Sequence, residues 1–290
     1  LTQQYFGWVF FRNGPWTMPL GLNPMYGMDI SSSIVYSDGN PLLSLLFKPF
    51  NSILPEIFQF QGLWLAICFL MQAYLAWKIL GLYSDDWISK GLGISLFLLA
   101  TPMLFRVGIH TNLAAHFLIL GALYLNLRTK TKHQSFWWMA LLLISLSVHF
   151  YLFAMIFILW LADHGDRSPL RVDEWIKSNL AGVLFTLASI FIIAWQLGYF
   201  AVKAPSLFGY GFFKANLLSL LNANGWSLFI KDIPIKSSWG EANLYLGLGT
   251  ITLLICGLLK IRHNFYIDQI WKKYRFLCIS LALCFLFSIT

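Results

Sequence analysis

Two aspartates near the start of the chain, Asp29 and Asp38, lie in a polar stretch that leads directly into an apolar, proline-bounded segment. A carboxyl group beside an apolar surface can have a raised pKa, which suits it to act as a general base, and it can also bind a divalent cation. The alternative is turn chemistry, since Asp38 begins the turn sequence Asp-Gly-Asn-Pro and an aspartate there can bond to its own backbone. Asp38 and Asp29 are therefore the candidate catalytic acids, with the turn interpretation left open.

The sequence RVGIHTNLAAH holds a second group of candidates, Arg106, His110 and His116, between two apolar runs. An arginine at the end of a membrane span is costly unless it faces polar partners, and its fork of donors suits it to bind phosphate. We therefore expect these residues to contact an anionic substrate. In the alternative interpretation, Arg106 extends to the lipid headgroups and His116 hydrogen-bonds a neighbouring helix. The spacing of the two histidines does not place them on one helical face, which argues against a zinc site.

Three more polar residues are candidates for contact with the same substrate: His149, Lys214 and Glu241. His149 stands in the middle of a long apolar run, where the alternative role is to satisfy the backbone of a broken helix. Lys214 and Glu241 belong to a later loop, where exposed charge is the alternative. No P-loop, dinucleotide fingerprint, HExxH or GxSxG motif is present. We predict no metal site and no certain cofactor, with a divalent cation left open as a helper.

The elements that must position these residues are membrane helices. The chain of 290 residues is 58% hydrophobic and 11% charged, whereas a soluble domain carries about 25% charged residues. Its apolar runs are continuous rather than alternating, and this predicts helices instead of a β-barrel. The net charge of +8 indicates loops beside a membrane rather than nucleic-acid binding. The four cysteines all lie in apolar runs, and we expect no disulfide.

The predicted membrane-embedded segments are 63–82, 91–107, 112–127, 135–161, 180–202, 244–259 and 276–290. Most of the 20 Lys and Arg residues stand in short loops on one side of these segments, and such loops are usually cytoplasmic. The loops 1–61 and 203–243 then face outside. This orientation needs 135–161 to form a hairpin of two half-length helices that meet near His149, and one tilted span is the alternative. The charged stretch 163–177 is predicted to be a solvated inner connector.

The two outer loops are rich in turn-forming and aromatic residues. Glycines and prolines recur through 1–61, together with aromatic residues that prefer the headgroup level. Within this loop, the leucines and phenylalanines of 42–53 fall on one broad face, which predicts a short helix lying in the membrane interface. The second loop, 203–243, has a similar glycine turn and short amphipathic stretch. The chain thus divides into an outer loop 1–61, membrane helices 62–202, an outer loop 203–243 and membrane helices 244–290.

Four parts of the sequence carry a resemblance to a known family: GWVFFRNGPWTMPLG, YSDGNPLLSLLFKP, RVGIHTNLAAHFLIL, and GYGFFKANLLSLLN with NLYLGLG. Together they resemble the bacterial GT-C-type glycosyltransferases, and more narrowly an uncharacterised bacterial membrane-protein family of that type. The resemblance implies an all-α, polytopic transmembrane helix bundle of GT-C type with two extracytoplasmic loops that bear short interfacial helices. It also implies an acidic catalytic residue in the first outer loop, where Asp29 and Asp38 lie, and an integral, multi-pass place in the bacterial inner membrane.

The activity that the resemblance implies is transfer of a hexosyl or pentosyl group from a polyprenyl-phosphate donor to an acceptor on the extracytoplasmic face. Its partners are the lipid-linked sugar and membrane lipids, without nucleic acid. In such enzymes the acid often follows a first membrane helix directly. The sequence begins without that helix and without Met, so we expect a piece of a longer protein, and the base is either in this loop or before Leu1. The alternatives are a transporter or flippase of a lipid-linked sugar and a non-catalytic lipid-binding membrane protein.

Overall fold

The computed structural model describes residues 2–27, 32–167, 172–201, 216–234, 244–260 and 264–289. This part of the chain is all-α apart from two short strands, which confirms the predicted class. The strands, β1 (Leu22–Asn23) and β2 (Ser32–Ser33), pair antiparallel with Leu22 opposite Ser33. The helices are α1 Thr2–Asn13, α2 Pro41–Phe47, α3 Gln61–Leu80, α4 Trp87–Leu98, α5 Thr101–Ile109, α6 Phe117–Leu127, α7 Gln134–Val148, α8 Phe150–Arg167, α9 Val172–Gln196, α10 Leu248–Lys260 and α11 Asn264–Ile289. Short 3-10 helices occupy Ile34–Tyr36, Lys48–Phe50, Thr111–Ala114 and Leu217–Leu220.

Helix α3 and the Asn179–Gln196 part of α9 are each long and apolar enough to cross a membrane. Helices α4 and α5 meet the same test as a pair, with a bend of 42° between them. The bend comes just before Pro102. Proline has no backbone N–H group to donate, and its ring clashes with a preceding helical turn. Gln72 of α3 donates from Nε2 to the carbonyl oxygen of Phe97 (3.4 Å), a backbone acceptor at this bend. Within the described ranges, two or three helices therefore qualify as membrane spans.

The segment 1–61, which the sequence predicts to be an outer loop, begins with a helix that the sequence analysis did not predict. Helix α1 buries Trp8 and Phe11, and these rings join the main hydrophobic core rather than the headgroup layer. Their spacing places both on one face of a helix. At Gly7 the helix passes so close to the following loop that a Cβ atom there would lie 2.3 Å from the Ser37 carbonyl oxygen. Only glycine allows this approach, and it fixes α1 against the turn that follows Ser37.

Two buried cations bind the segment after α2 to the end of α1. Arg12 donates from Nε to Asn51 Oδ1 at 2.6 Å. Lys48 donates to the carbonyl oxygen of Pro15 at 3.1 Å, and its ammonium group lies 4.1 Å from the centre of the Phe11 ring. Burial lowers the pKa of Lys48. Because buried cations need acceptors or aromatic faces, these contacts hold the whole segment in place on α1.

Helices α7 and α8 form an antiparallel pair whose tip is His149, where φ is −165° and ψ is 134°. Trp138, early in α7, donates from Nε1 to Asp163 Oδ2 near the end of α8 at 2.8 Å. The start of one helix therefore lies beside the end of the other. The two helices have 15 and 18 residues, which gives lengths of about 22 and 27 Å. Each is shorter than the hydrocarbon core of a bilayer, which is about 30 Å thick.

A buried ion pair between Asp163 and Arg167 joins three helices at the end of the bundle opposite His149. Arg167 also donates from Nη2 to the carbonyl oxygens of Leu125 (2.7 Å) and Asn126 (2.9 Å). These carbonyls belong to the last turn of α6, where no partner is available within the helix. Asp163 is only 4% exposed, so the predicted solvated connector was wrong at its first residue, which is part of α8 and of the core.

A second aspartate of α8 stabilises a kink in α11. Tyr274 has non-helical dihedral angles within that helix, with φ at −130° and ψ at 35°. The carboxylate of Asp166 accepts hydrogen bonds from the backbone N–H groups of Phe276 (2.7 Å) and Leu277 (2.9 Å). A helix start leaves such donors unpaired, so Asp166 caps the second half of α11 from a neighbouring helix.

Replacing Asp163 by Asn should destabilise the protein by about 3 kcal/mol, because a buried cation that loses its partner costs about 3–5 kcal/mol. The matched control is Asp85→Asn, since Asp85 pairs with Lys90 at 3.8 Å while its own side chain is fully exposed. That change should leave stability unaltered. Thermal unfolding of the detergent-solubilised protein measures both variants. Equal stability of Asp163→Asn and the parent would show that the ion pair does not hold α6, α7 and α8 together.

Candidate functional site

Asp38 stands in a tight turn between the 3-10 helix Ile34–Tyr36 and α2. Its backbone is left-handed, with φ at 54°, and Asn40 has φ at 49°, a region that Asp and Asn adopt more readily than most residues. Asn40 Oδ1 accepts a hydrogen bond from the Leu43 N–H group (3.2 Å) and caps α2. The capping role in this turn therefore falls to Asn40, and the cap does not use the carboxyl group of Asp38.

The Asp38 turn is held against a helix break between α5 and α6. Asn112 donates from Nδ2 to the carbonyl oxygen of Asp38 at 3.0 Å. Thr111 Oγ1 lies 2.9 Å from Gln4 Oε1 and 2.8 Å from Gln61 Oε1, at the starts of α1 and α3. Thr111 and Asn112 are both buried, so these contacts replace the water that an interrupted helix would otherwise bind. We call these five residues, from α1, α3, the turn and the break, the polar hub.

Five of the predicted site residues lie within electrostatic reach of another member of the set, and one of them, Asp38, belongs to the polar hub. Burial raises the pKa of the Asp38 carboxyl group, and the nearby charge of His110 counters part of this shift. His149, at the tip of the α7–α8 pair, lies close enough to His110 and Arg106 for their charges to act on it. His116 lies within the same reach of Arg106. Three separate segments of the chain thus supply an acid, an arginine and three histidines that interact electrostatically in pairs.

The other three predicted site residues, Asp29, Lys214 and Glu241, lie outside the residues that the structure describes. Their roles stay predictions. The described chain before Asp29 contacts the end of α9. The Gly21 N–H group donates to the carbonyl oxygen of Gln196 at 2.7 Å, which joins the first loop to the end of α9.

Sequence reasoning missed the amide and hydroxyl side chains of the polar hub, which are Gln4, Gln61, Thr111 and Asn112. The available signal was the polar pair Thr-Asn inside an apolar run, which indicates a helix break that needs partners. Two buried atoms near Asp38, Asn112 Oδ1 and Asn40 Nδ2, have no hydrogen-bond partner among the described residues. Buried polar atoms are usually paired, so these two atoms are suited to bind water or a polar group of a ligand.

A family of proteins matches this sequence over its whole length, residues 1–290. The chain belongs to the family described as Domain of unknown function (DUF6311). No curated protein and no solved structure matches it. Because the family description states no reaction, the function of this DUF6311 protein must be argued from the polar hub and its charged neighbours.

The DUF6311 site combines a carboxyl group of raised pKa with several groups that are or can become positively charged. A carboxylate of this kind can take a proton from a hydroxyl group. Arg106 and His110 can stabilise negative charge on an oxygen that lies beside them. In the described part of the chain, no three His, Cys, Asp or Glu side chains are grouped so as to hold a metal ion. We therefore assign no metal ligand among the described residues.

The raised pKa of Asp38, whose ordinary value is 3.8, predicts that its ionised form destabilises the fold. This penalty is full above the folded-state pKa and vanishes as the pH falls below the unfolded-state value. The Asp38→Asn variant of the DUF6311 protein should therefore be at least as stable as the parent at about pH 7, with the difference shrinking towards about pH 4. Thermal unfolding over this pH range measures the effect, with Asp85→Asn as the exposed control. A clear loss of stability in Asp38→Asn at about pH 7 would instead identify the carboxylate as a structural group.

Proposed function

We propose that this protein is a GT-C-type membrane glycosyltransferase that moves a sugar from a polyprenyl-phosphate donor to an acceptor on the extracytoplasmic face. The observation that supports the proposal is that the charge of His110 acts on both Asp38 and His149, and the charge of Arg106 acts on His149, at one end of the apolar bundle. An acid, an arginine and histidines together are the combination needed to activate a hydroxyl group and to receive an anionic leaving group.

In the proposed reaction, the carboxylate of Asp38 removes the proton from an acceptor hydroxyl group. The hydroxyl oxygen bonds to the anomeric carbon of the donor sugar while the bond from that carbon to the phosphate oxygen breaks. The electron pair of the broken bond leaves with the polyprenyl phosphate. Arg106 stabilises the negative charge gained by this leaving group, with His110 as a second donor. Asp29 or an acid before Leu1 is the alternative base.

A lipid-linked donor needs an apolar surface beside the site, and the segment that contains α2 and the 3-10 helix after it offers one. Leu46, Phe50 and Ile53 are large and apolar, yet they are 57%, 50% and 77% exposed. Contacts with α1 hold this segment next to the Asp38 turn. We propose that the segment lies in the outer interface of the membrane and borders the groove for the polyprenyl chain.

The proposal requires the polar hub to face outside and the Asp163–Arg167 pair to lie near the cytoplasmic side. The basic loop 128–132 follows the end of α6 that Arg167 caps, opposite His149, in agreement with the rule that short basic loops are cytoplasmic. We propose an integral, multi-pass protein of the bacterial inner membrane, in which α7 and α8 enter from the cytoplasmic side and return to it. His116, Lys214 and Glu241 are proposed as further substrate contacts.

A single assay separates the proposal from its alternatives. The full-length protein, reconstituted in proteoliposomes, is incubated with a labelled polyprenyl-phosphate sugar and a cell-envelope acceptor fraction. Labelled product together with free polyprenyl phosphate supports transfer. Movement of intact donor across the membrane supports a transporter or flippase, and binding without movement or turnover supports a lipid-binding protein. Each of the last two results contradicts the glycosyltransferase proposal.

Replacing Arg106 by Ala should lower the transfer rate by about 10²–10³-fold, the usual effect of removing one group that stabilises developing negative charge. Arg106→Lys should keep part of the activity, since it retains the charge but loses the paired donors. Arg275→Ala is the matched control, because Arg275 is an exposed arginine in α11, at the end of the bundle away from the polar hub. An unchanged rate in a folded Arg106→Ala protein would remove Arg106 from the mechanism.

Asp38→Asn should lower the transfer rate by about 10²–10⁴-fold, because the amide cannot accept the proton. In the parent, the rate should rise with pH through a pKa above 3.8, since the base must be ionised and burial raises its pKa. Asp38→Glu should retain this acidic limb at a shifted position. If Asp38→Asn retained both the parental rate and its acidic limb, the base would have to be Asp29 or a residue before Leu1.

A further inference from the structure

A recess opens between α7, α8 and α9 at the end of the bundle opposite the polar hub. It has a volume of about 30 Å³ and is lined by Lys130, Ser135, Trp138, Arg167 and Asn179 among others. The proposed sugar transfer uses none of these residues. A volume of this size has room for one or two oxygen-sized groups, so a phosphate oxygen can enter the recess while the rest of a lipid headgroup stays outside it.

Among the described side chains that line the recess, the charges sum to a positive value. Asp163 lines the recess, but its carboxylate is neutralised by Arg167 and also accepts a hydrogen bond from Trp138 Nε1 at 2.8 Å. Lys130 pairs with no carboxylate in the described part of the chain. It lies close enough to His164 for its charge to act on the imidazole. The recess therefore contains an accessible ammonium group beside an acid that is already paired.

A second cation stands at the rim of the recess. Arg128 donates from Nη2 to Oε1 of Gln134 at 3.1 Å, and its guanidinium group lies 5.3 Å from the centre of the Tyr124 ring. Both partners are neutral, so Arg128 adds positive charge to the rim. An anion that enters the recess would meet Lys130 without having to displace an ion pair among the described residues, and Arg128 adds positive charge next to the recess.

Apolar side chains continue from the recess along the outside of the bundle. Phe136 and Trp137 of α7 and Leu180 and Leu184 of α9 are all exposed. Aromatic residues next to basic ones are typical of the level of the lipid headgroups. The recess thus connects a cationic cavity with a surface on which acyl chains can lie.

We propose that this recess binds the phosphate headgroup of an anionic lipid of the inner leaflet, with Lys130 as its main charged contact. Basic pockets between membrane helices on the cytoplasmic side are suited to such headgroups. Ser135 and Asn179 supply neutral polar groups for the headgroup, and the exposed faces of α7 and α9 receive the acyl chains. Inorganic phosphate carries the same charged group but cannot use the apolar faces, so it should bind much more weakly.

The test measures binding of a fluorescent phosphatidylglycerol to the full-length protein in a neutral detergent. Unlabelled phosphatidylglycerol should displace this probe, whereas phosphatidylcholine and inorganic phosphate at the same concentration should not. Lys130→Gln should weaken binding about fivefold, which corresponds to about 1 kcal/mol for one basic residue. Lys132→Gln is the matched control, because Lys132 belongs to the same exposed loop but does not line the recess. Its binding should equal that of the parent.

A third variant tests the cavity itself without changing the charge. Ser135→Trp fills the recess from an exposed position and should abolish binding, while thermal unfolding shows whether the variant stays folded. Normal binding by this variant would overturn the proposal. Equal losses in Lys130→Gln and Lys132→Gln would also overturn it, because they would indicate a diffuse attraction to the basic loop. Competition by inorganic phosphate as strong as that by phosphatidylglycerol would show an ion site and not a lipid site.

Discussion

Backbone groups that a helix break exposes inside an apolar bundle must find new partners, and the polar hub around Thr111 meets this requirement. Thr111 contacts Gln4 and Gln61, and its carbonyl oxygen accepts a hydrogen bond from Trp64 Nε1 at 3.0 Å. These contacts allow the chain to stop being helical between α5 and α6. They also fix the starts of α1 and α3, and Asn112 extends the network to the turn of the candidate acid. The geometry of the site therefore depends on which side chains hydrogen-bond the backbone at the break between α5 and α6.

The same requirement is met differently at the other end of the bundle. Arg167 serves the last carbonyl groups of α6, and Asp166 serves the backbone donors at the kink of α11. These contacts occupy the side chains of Arg167 and Asp166, and the ion pair with Arg167 occupies the carboxylate of Asp163. At the polar hub, by contrast, burial raises the pKa of Asp38. Stability is thus given up at the end of the bundle that holds Asp38, where the proposed reaction needs a reactive carboxyl group, and not at the opposite end.

The sequence was sufficient to predict Asp38, Arg106, His110 and His149 as site residues. A charged residue or histidine beside or within an apolar run costs free energy to bury, so its presence indicates a function. That rule applies to each residue by itself. It did not identify the hub residues Gln4 and Gln61, because a glutamine near a helix start has many exposed alternatives. It also misplaced Trp8 and Phe11 of α1, since an aromatic ring suits both the headgroup layer and a core, and only its neighbours decide between them.

By itself, the sequence determined the all-α class and the apolar helices α3 and α9, since these follow from local composition and from the need of backbone groups in lipid for internal partners. It also determined membership of the DUF6311 family. The tertiary structure alone decided that the turn at Asp38, the break at His110 and the tip at His149 meet at one end of the bundle. Burial and hydrogen bonding are properties of pairs from distant segments, and no single stretch of sequence contains both members of such a pair.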